Sequence, residues 1–175
     1  MPVRTVLQHA DITRALTRIS HEILESNRGS DDLVILGIPT RGVTLASRIS
    51  AIIHSVDSAV IPAGALDVTM YRDDLAQNPT RATGPTDIPS GGIDGKTVVL
   101  VDDVLYSGRT IRAALDALGD LGRPRAVRLA VLVDRGHREF PIRADFVGKN
   151  LPSSADERIN VRLEEIDGLD EVTIG

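Results

Sequence analysis

The chain has 175 residues, 42% of them hydrophobic and 26% charged, a length that suits one domain burying roughly 70% of its unfolded surface. It has no cysteine, which excludes disulfide frameworks, cysteine zinc sites and thiol nucleophiles and suits a reducing compartment. A formal charge of −5 argues against indiscriminate nucleic-acid binding over the whole surface, and no stretch has the ~18–20 apolar residues of a membrane span, so a soluble, cytoplasmic protein is expected.

The first element in chain order is an amphipathic helix. Asp11 is placed to cap it, and Ile12, Ala15, Leu16, Ile19, Ile23 and Leu24 form an apolar stripe that ends near Asn27 and Gly29. Its other side carries Arg14, Thr17, Arg18 and His21 at i, i+3, i+4 and i+7, which on pattern alone reads as a solvated face. LVILGI (33–38) reads as a buried strand, PTRG as a turn, VTLASRISAII as a second helix, and ALDVTMY (65–71) as a strand with Leu66, Val68 and Met70 alternating. Residues 72–96 are rich in Pro, Gly, Thr and Asp and have no hydrophobic period. In a compact domain a loop of that length is a functional lid or disordered, and a lid over about 71–97 is expected.

The central stretch VVLVDDVLYSGRT (98–110) sets an apolar strand directly against two acids and a small, hydroxyl-rich turn. Carboxylates seldom enter a core without partners, so Asp102 and Asp103 are expected where the strand's carboxyl end opens onto a crevice. The helix that follows repeats Ile111, Ala114, Leu115 and Leu118. A turn leading into a helix N-terminus is an anion site, and the acids face whatever carries the anion. AVRLAVLVD (126–134) is a further buried strand, and ADFVGKNL, NVRLEEID and EVTI are short ones. Strands alternating with helices imply an α/β domain with a mainly parallel sheet. Residues 121–150 carry seven Lys/Arg against three acids, so a local basic face is compatible with the negative total. With two Phe, two Tyr and no Trp, base stacking would be thin.

Three phosphate-binding readings compete for this stretch. A P-loop nucleotidase is disfavoured because GGIDGKT has Ser90 where the spacing needs glycine and precedes a strand rather than following one. A phospho-acceptor domain would carry its paired acids on the first strand. The third reading is a phosphoribosyltransferase, since VVLVDDVLYSGRT resembles the 13-residue signature that binds 5-phosphoribosyl-1-diphosphate (PRPP) in the type I enzymes. ALTRISHEI (15–23), GIPTRGVTLA (37–46), ALDVTMYRDDL (65–75) and the run from Asp102 to Ser154, with Tyr106 and VDRGHRE distinctive, resemble more narrowly the bacterial pyrimidine-operon regulators of the PyrR family. Their members are also uracil phosphoribosyltransferases.

The resemblance implies a type I phosphoribosyltransferase fold over 1–175: a mainly parallel sheet flanked by helices, with a small C-terminal hood at about 134–165. It implies the reaction of uracil with PRPP to give UMP and diphosphate, with Mg²⁺ bound through PRPP and no firm protein ligand. Tyr106, Ser107, Gly108, Arg109 and Thr110 would hold the 5′-phosphate, and Asp102 and Asp103 the ribose hydroxyls and the developing positive charge. Thr40 and Arg41, with Gly42 permitting close approach, match the diphosphate loop, and Arg72 would reach diphosphate as the lid closes. Arg138 and the backbone around Val161 would lie near the base.

The family also binds a stem-loop in the leader mRNA of pyrimidine genes, more tightly with UMP or UTP. Arg14, Thr17, Arg18, His21, Thr40, His137, Arg138, Arg143 and Lys149 match positions of that RNA face, which turns the helical stripe from a solvated face into an expected contact. A homodimer or higher homo-oligomer is expected, with no membrane partner. Two other readings stay open: a repressor that uses the site only to sense UMP, and a purine phosphoribosyltransferase.

Overall fold

The computed structural model describes residues 2–73 and 86–175. Five strands form a parallel sheet in the order β3 (Ala63–Ala65), β2 (Leu33–Gly37), β4 (Thr97–Leu105), β5 (Ala126–Asp134) and β6 (Phe146–Asn150). Helices cover both faces, as a parallel sheet requires, and β2 is accordingly buried at every position. On one face α1 (His9–Asn27) and α2 (Arg41–Asp57) place Ile12, Ile19, Ile49 and Ile53 against Ile35 and Val99. On the other, α3 (Arg109–Leu121) sets Ile111, Ala114 and Leu118 against Leu100 and Val131. Burying each large aliphatic side chain contributes about 1.5–3 kcal/mol, so these two layers dominate the stability.

The acids are the main surprise of the central strand. β4 continues through them to Leu105 instead of stopping at Val101. β2 leaves the ladder at Gly37, which pairs with Val101, while the β5 side continues from Asp102 opposite Val131 to Leu105 opposite Asp134. The last four residues of β4 therefore have a strand neighbour on one side only, and the crevice opens on the other. No strain on the ladder is needed to expose the two carboxylates.

A second, antiparallel sheet is ordered β1 (Arg4–Gln8), β8 (Glu171–Ile174), β7 (Ile159–Arg162), with the short helix α4 (Glu164–Asp167) between β7 and β8. The expected hood at 134–165 thus differs in extent. Residues up to Asn150 belong to the main sheet, and the small sheet takes its third strand from the chain's N-terminal end, a long-range pairing with no local sequence signal. Val161, Leu163 and Val172 join the core layer of α1 and α2.

Two local expectations are corrected. The strand expected over 65–71 ends at Ala65, and Thr69–Tyr71 form a 3₁₀ turn. Asp67 Oδ1 accepts from both the amide and the hydroxyl of Thr69, a local bond that competes with strand pairing, while Leu66 and Val68 still fill the core and Met70 is exposed. Asp11 does not cap α1 from its N-cap position. The helix starts at His9, and Asp11 accepts the Gln8 amide from the third helical position at 2.9 Å, which serves the same unsatisfied end. Residues 74–85 of the expected lid lie outside the described residues. Among the described residues no helix is long and apolar enough to cross a membrane.

Candidate active site

A cleft of about 570 Å³ opens at the carboxyl ends of β2 and β4. Its floor is Asp102 and Asp103, both half-buried. Asp102 Oδ1 accepts the amide of Asp103, and Asp103 Oδ1 accepts that of Val104, each at 2.8 Å. These bonds fix both carboxylates at the strand end.

On one side stands the turn Tyr106 to Gly108, with Thr110 in the first turn of α3. Gly108 is the residue before the helix and has φ +93°, a conformation that opens the first-turn amides of α3 toward the cleft. The turn is braced from behind, since the Ser107 carbonyl accepts the amides of Glu139 and Phe140 and its hydroxyl accepts that of Arg109. Opposite stand Pro39, Thr40 and Arg41, joined through a cis Pro39–Thr40 peptide. Arg72 closes a third side, its Nη1 donating to the Thr110 hydroxyl at 2.8 Å. The neighbouring residues pin this segment to α3: Tyr71 donates to Asp120 at 2.6 Å, and Asp73 pairs with Arg109. The bond to Asp120 holds the Tyr71 hydroxyl above the usual phenol range.

An anion site of amides and hydroxyls, two arginines and a pair of acids within one cleft is a constellation for a sugar phosphate with a charged leaving group. A model of the phosphoribosyl transferase domain family matches residues 2–164. A protein of Leifsonia xyli subsp. xyli described as bifunctional protein PyrR is 75% identical, covering 99% of this chain and 97% of its own. The chain belongs to the PyrR family of phosphoribosyltransferases. A Streptomyces coelicolor relative of the same description is 63% identical over 98% of this chain and 89% of its own. Among solved structures, a hypoxanthine phosphoribosyltransferase of Trypanosoma cruzi superposes with TM-score 0.74 at 15% identity, covering 98% of this chain and 95% of its own, a likeness of fold alone.

Against this PyrR-family frame the expected site residues divide. Thr40, Arg41, Arg72, Asp102, Asp103, Tyr106, Ser107, Gly108 and Thr110 line the cleft. Gly42 does not. A Cβ there would lie 2.4 Å from the Val101 carbonyl oxygen, so its role is the close approach of α2 to β4 rather than room for a ligand. Arg109 turns away to Glu139 and Asp73 and over the Phe140 ring. Its bond to Glu139 raises its affinity for the proton. Arg138 is a brace: its Nε donates to the Ile142 carbonyl, Nη1 to the Tyr106 carbonyl and Nη2 to Asp134. The Val161 side chain is 5% exposed in the core, and Ile159, two residues earlier, lines the cleft.

Sequence reasoning missed Arg135, which lines the cleft while 8% exposed, its guanidinium 4.3 Å from the Tyr106 ring centroid and bonded to the Ser154 and Glu157 carbonyls. Its position just past the buried β5 was the available signal, because a parallel neighbour of β4 ends at the same crevice. Asp67 and Thr69 also line the cleft and carried no signal once their segment was read as a strand.

Of the residues expected to meet RNA, Arg14, Arg18 and Lys149 lie along one edge. Arg18 donates to the carbonyls of Val147 and Gly148, so α1 lies along the edge strand β6, where Lys149 sits. Lys149 and Arg14 both act on Asp11, whose carboxyl is held below its ordinary range chiefly by the Gln8 amide. Arg14, Arg18, His21, Arg143 and Lys149 are exposed, and Thr17 is half-buried with its hydroxyl on the Thr13 carbonyl. His137 is exposed with φ +66°, its ring 5.7 Å from that of Tyr106, and Nε2 donates to the Ser153 carbonyl.

Proposed function

We propose that this chain transfers the ribose 5-phosphate of PRPP to uracil, giving UMP and diphosphate, and that it also binds the leader mRNA of pyrimidine genes in response to UMP or UTP. The observation that carries the enzymatic half is the single cleft in which the acid pair at the open end of β4 faces the Tyr106–Thr110 turn, Arg41 and Arg72. The amides and hydroxyls of that turn bind the 5′-phosphate, and Asp102 and Asp103 accept from the ribose 2′- and 3′-hydroxyls. As the C1′–oxygen bond breaks, the electron pair leaves with diphosphate. Arg41 and Arg72 neutralise that charge while the two carboxylates stabilise the oxocarbenium-like ring. Uracil N1 then forms the new bond and loses its proton to water or to the departed diphosphate, so no strong base is required beside it.

Mg²⁺ fits this donor set. Among the described residues no cluster of three or more metal-ligating side chains exists, and two adjacent acids suit an ion held mainly by substrate oxygens and water. When bound it would supply charge neutralisation on the diphosphate. The base would lie toward Arg135 and Ile159, where backbone groups can read the alternating acceptors and donor of a pyrimidine. The regulatory half is supported by near-full-length likeness to proteins described as bifunctional and by the basic edge of α1 and β6. A symmetric dimer would double that edge.

The test is UMP formation from labelled uracil with PRPP and Mg²⁺, with hypoxanthine, guanine and orotate alongside. Uracil-selective turnover is expected. No turnover in protein that still binds UMP would make the site a nucleotide sensor, and turnover of hypoxanthine or guanine would make it a purine enzyme.

A further inference from the structure

The diphosphate arm of the cleft is tied to the small sheet by acids that sequence reasoning left out. Arg41, the first residue of α2, gives its Nη2 to Asp167 Oδ1 at 2.7 Å and its Nε to Oδ2 at 3.2 Å. Both side chains are mostly buried, 31% and 19% exposed. A guanidinium has five donors in a rigid plane, so a two-point contact on one edge fixes the direction of the others. No described residue accepts from Nη1, and Arg41 lines the cleft.

Asp167 is itself held. Its Oδ2 accepts the Leu163 amide at 2.8 Å, and the loop around it is bolted to α2 one step further on. Arg48, two helical turns after Arg41, binds both Glu165 and Asp170, and Asp170 also accepts from the Glu164 amide. His9 closes the same cluster through Asp170 at 2.8 Å. The turn from Glu164 to Asp170 follows β7 directly, so the strand that brings Ile159 to the cleft and the arginine across it share one rigid connection.

We infer that Asp167 is a positioning residue for diphosphate: it holds the Nε and Nη2 edge of Arg41 so that the remaining donors face the leaving group. This rests on the reading of Arg41 as a diphosphate ligand. An arginine already held in place loses less freedom on binding an anion than one that must first be ordered. The opposing effect is that Asp167 lowers the local positive charge. The two effects have opposite signs in a binding measurement, which makes the inference decidable.

The experiment measures KM for PRPP, KM for uracil and inhibition by inorganic diphosphate in the full-length chain, with melting curves, for wild type, Asp167→Asn, Arg41→Gln, the double variant and Glu165→Gln. Asparagine keeps an oxygen for the Leu163 amide but loses the charge and the second acceptor. Asp167→Asn is expected to raise KM for PRPP and weaken diphosphate inhibition about tenfold, to leave KM for uracil unchanged, and to add nothing in the Arg41→Gln background. Glu165→Gln loosens the anchor without touching Arg41 and is expected to lower Tm while leaving the diphosphate constants alone. If Arg41→Gln itself leaves those constants unchanged, the diphosphate reading of Arg41 fails and the inference with it. If Arg41→Gln weakens diphosphate binding while Asp167→Asn leaves it unchanged or tightens it, or if Glu165→Gln reproduces the Asp167→Asn effect, the inference alone is overturned.

Discussion

Gly42→Ala probes the contact that sets the width of the cleft. The added Cβ would stand 2.4 Å from the Val101 carbonyl oxygen and 3.3 Å from the Asp102 Cα, about 1 Å short of ordinary van der Waals contact with the carbonyl. That oxygen accepts the Ile38 amide at 2.9 Å, so neither partner can yield without stretching a buried backbone bond. Overpacking of this kind costs about 1–3 kcal/mol. At 2 kcal/mol, Tm should fall by about 4–8 °C in a chain of this size. The functional effect should be larger, because Arg41 lies beside the inserted methyl on the helix and Asp102 beside it on the strand. A displacement of about 1 Å between two groups that hold one substrate costs about 10²-fold in rate, and kcat/KM for PRPP should drop accordingly. Initial rates of UMP formation, with melting curves on the same samples, give both quantities. A variant that melts several degrees lower yet keeps wild-type kcat/KM would refute the argument that α2 and β4 set the geometry, and one that matches wild type in both would refute the steric argument itself.

Asp103→Asn keeps the oxygen that accepts the Val104 amide and removes the charge, so turnover should fall about 10²-fold with an unchanged melting curve; normal turnover would remove Asp103 from the chemistry. Arg18→Gln is expected to weaken binding of a pyrimidine-leader stem-loop and reduce the salt slope by about 1, with UMP formation intact, and unchanged binding would take α1 off the RNA face. Glu165, Asp167 and Asp170 are all held below the ordinary carboxylate range, in each case chiefly by hydrogen bonds from Arg48 or Arg41. Their folded values lie below their unfolded ones, so the stability they contribute is complete above about pH 5 and is lost as the pH falls below about 4. Arg48→Met should flatten that acid limb of Tm against pH. It should also cost about 3 kcal/mol at neutral pH, because the Asp170 side chain, 1% exposed, would lose the arginine that compensates its burial; an unaltered acid limb would contradict the assignment.

The parts of the site that lie close together in the chain were legible from residues alone. The step from Val101 into two acids and a small-residue turn stands out because burial, charge and turn chemistry change within a few positions, and the cleft lining contains those residues. Strand 126–134 was likewise legible with its bounds intact, because a buried parallel strand is apolar along its length. The segment after Ala65 was misread because Leu66 and Val68 are buried from a turn as effectively as from a strand, and only the Asp67–Thr69 bonds distinguish the two.

What the amino-acid sequence by itself determined was therefore the α/β class, the order of most elements, and the acid pair with the small-residue turn after it, all governed by hydrophobic period and local backbone chemistry. Only the tertiary structure decided that β2 stops one residue before Asp102 in the ladder, and that the N-terminal strand completes the small sheet. It alone turned Arg138 into a brace, brought Arg135 beneath Tyr106, and set Asp167 against Arg41 across 126 residues. Such pairings depend on where loops bring distant chain segments, and a carboxylate in sequence gives no sign of which arginine it will meet.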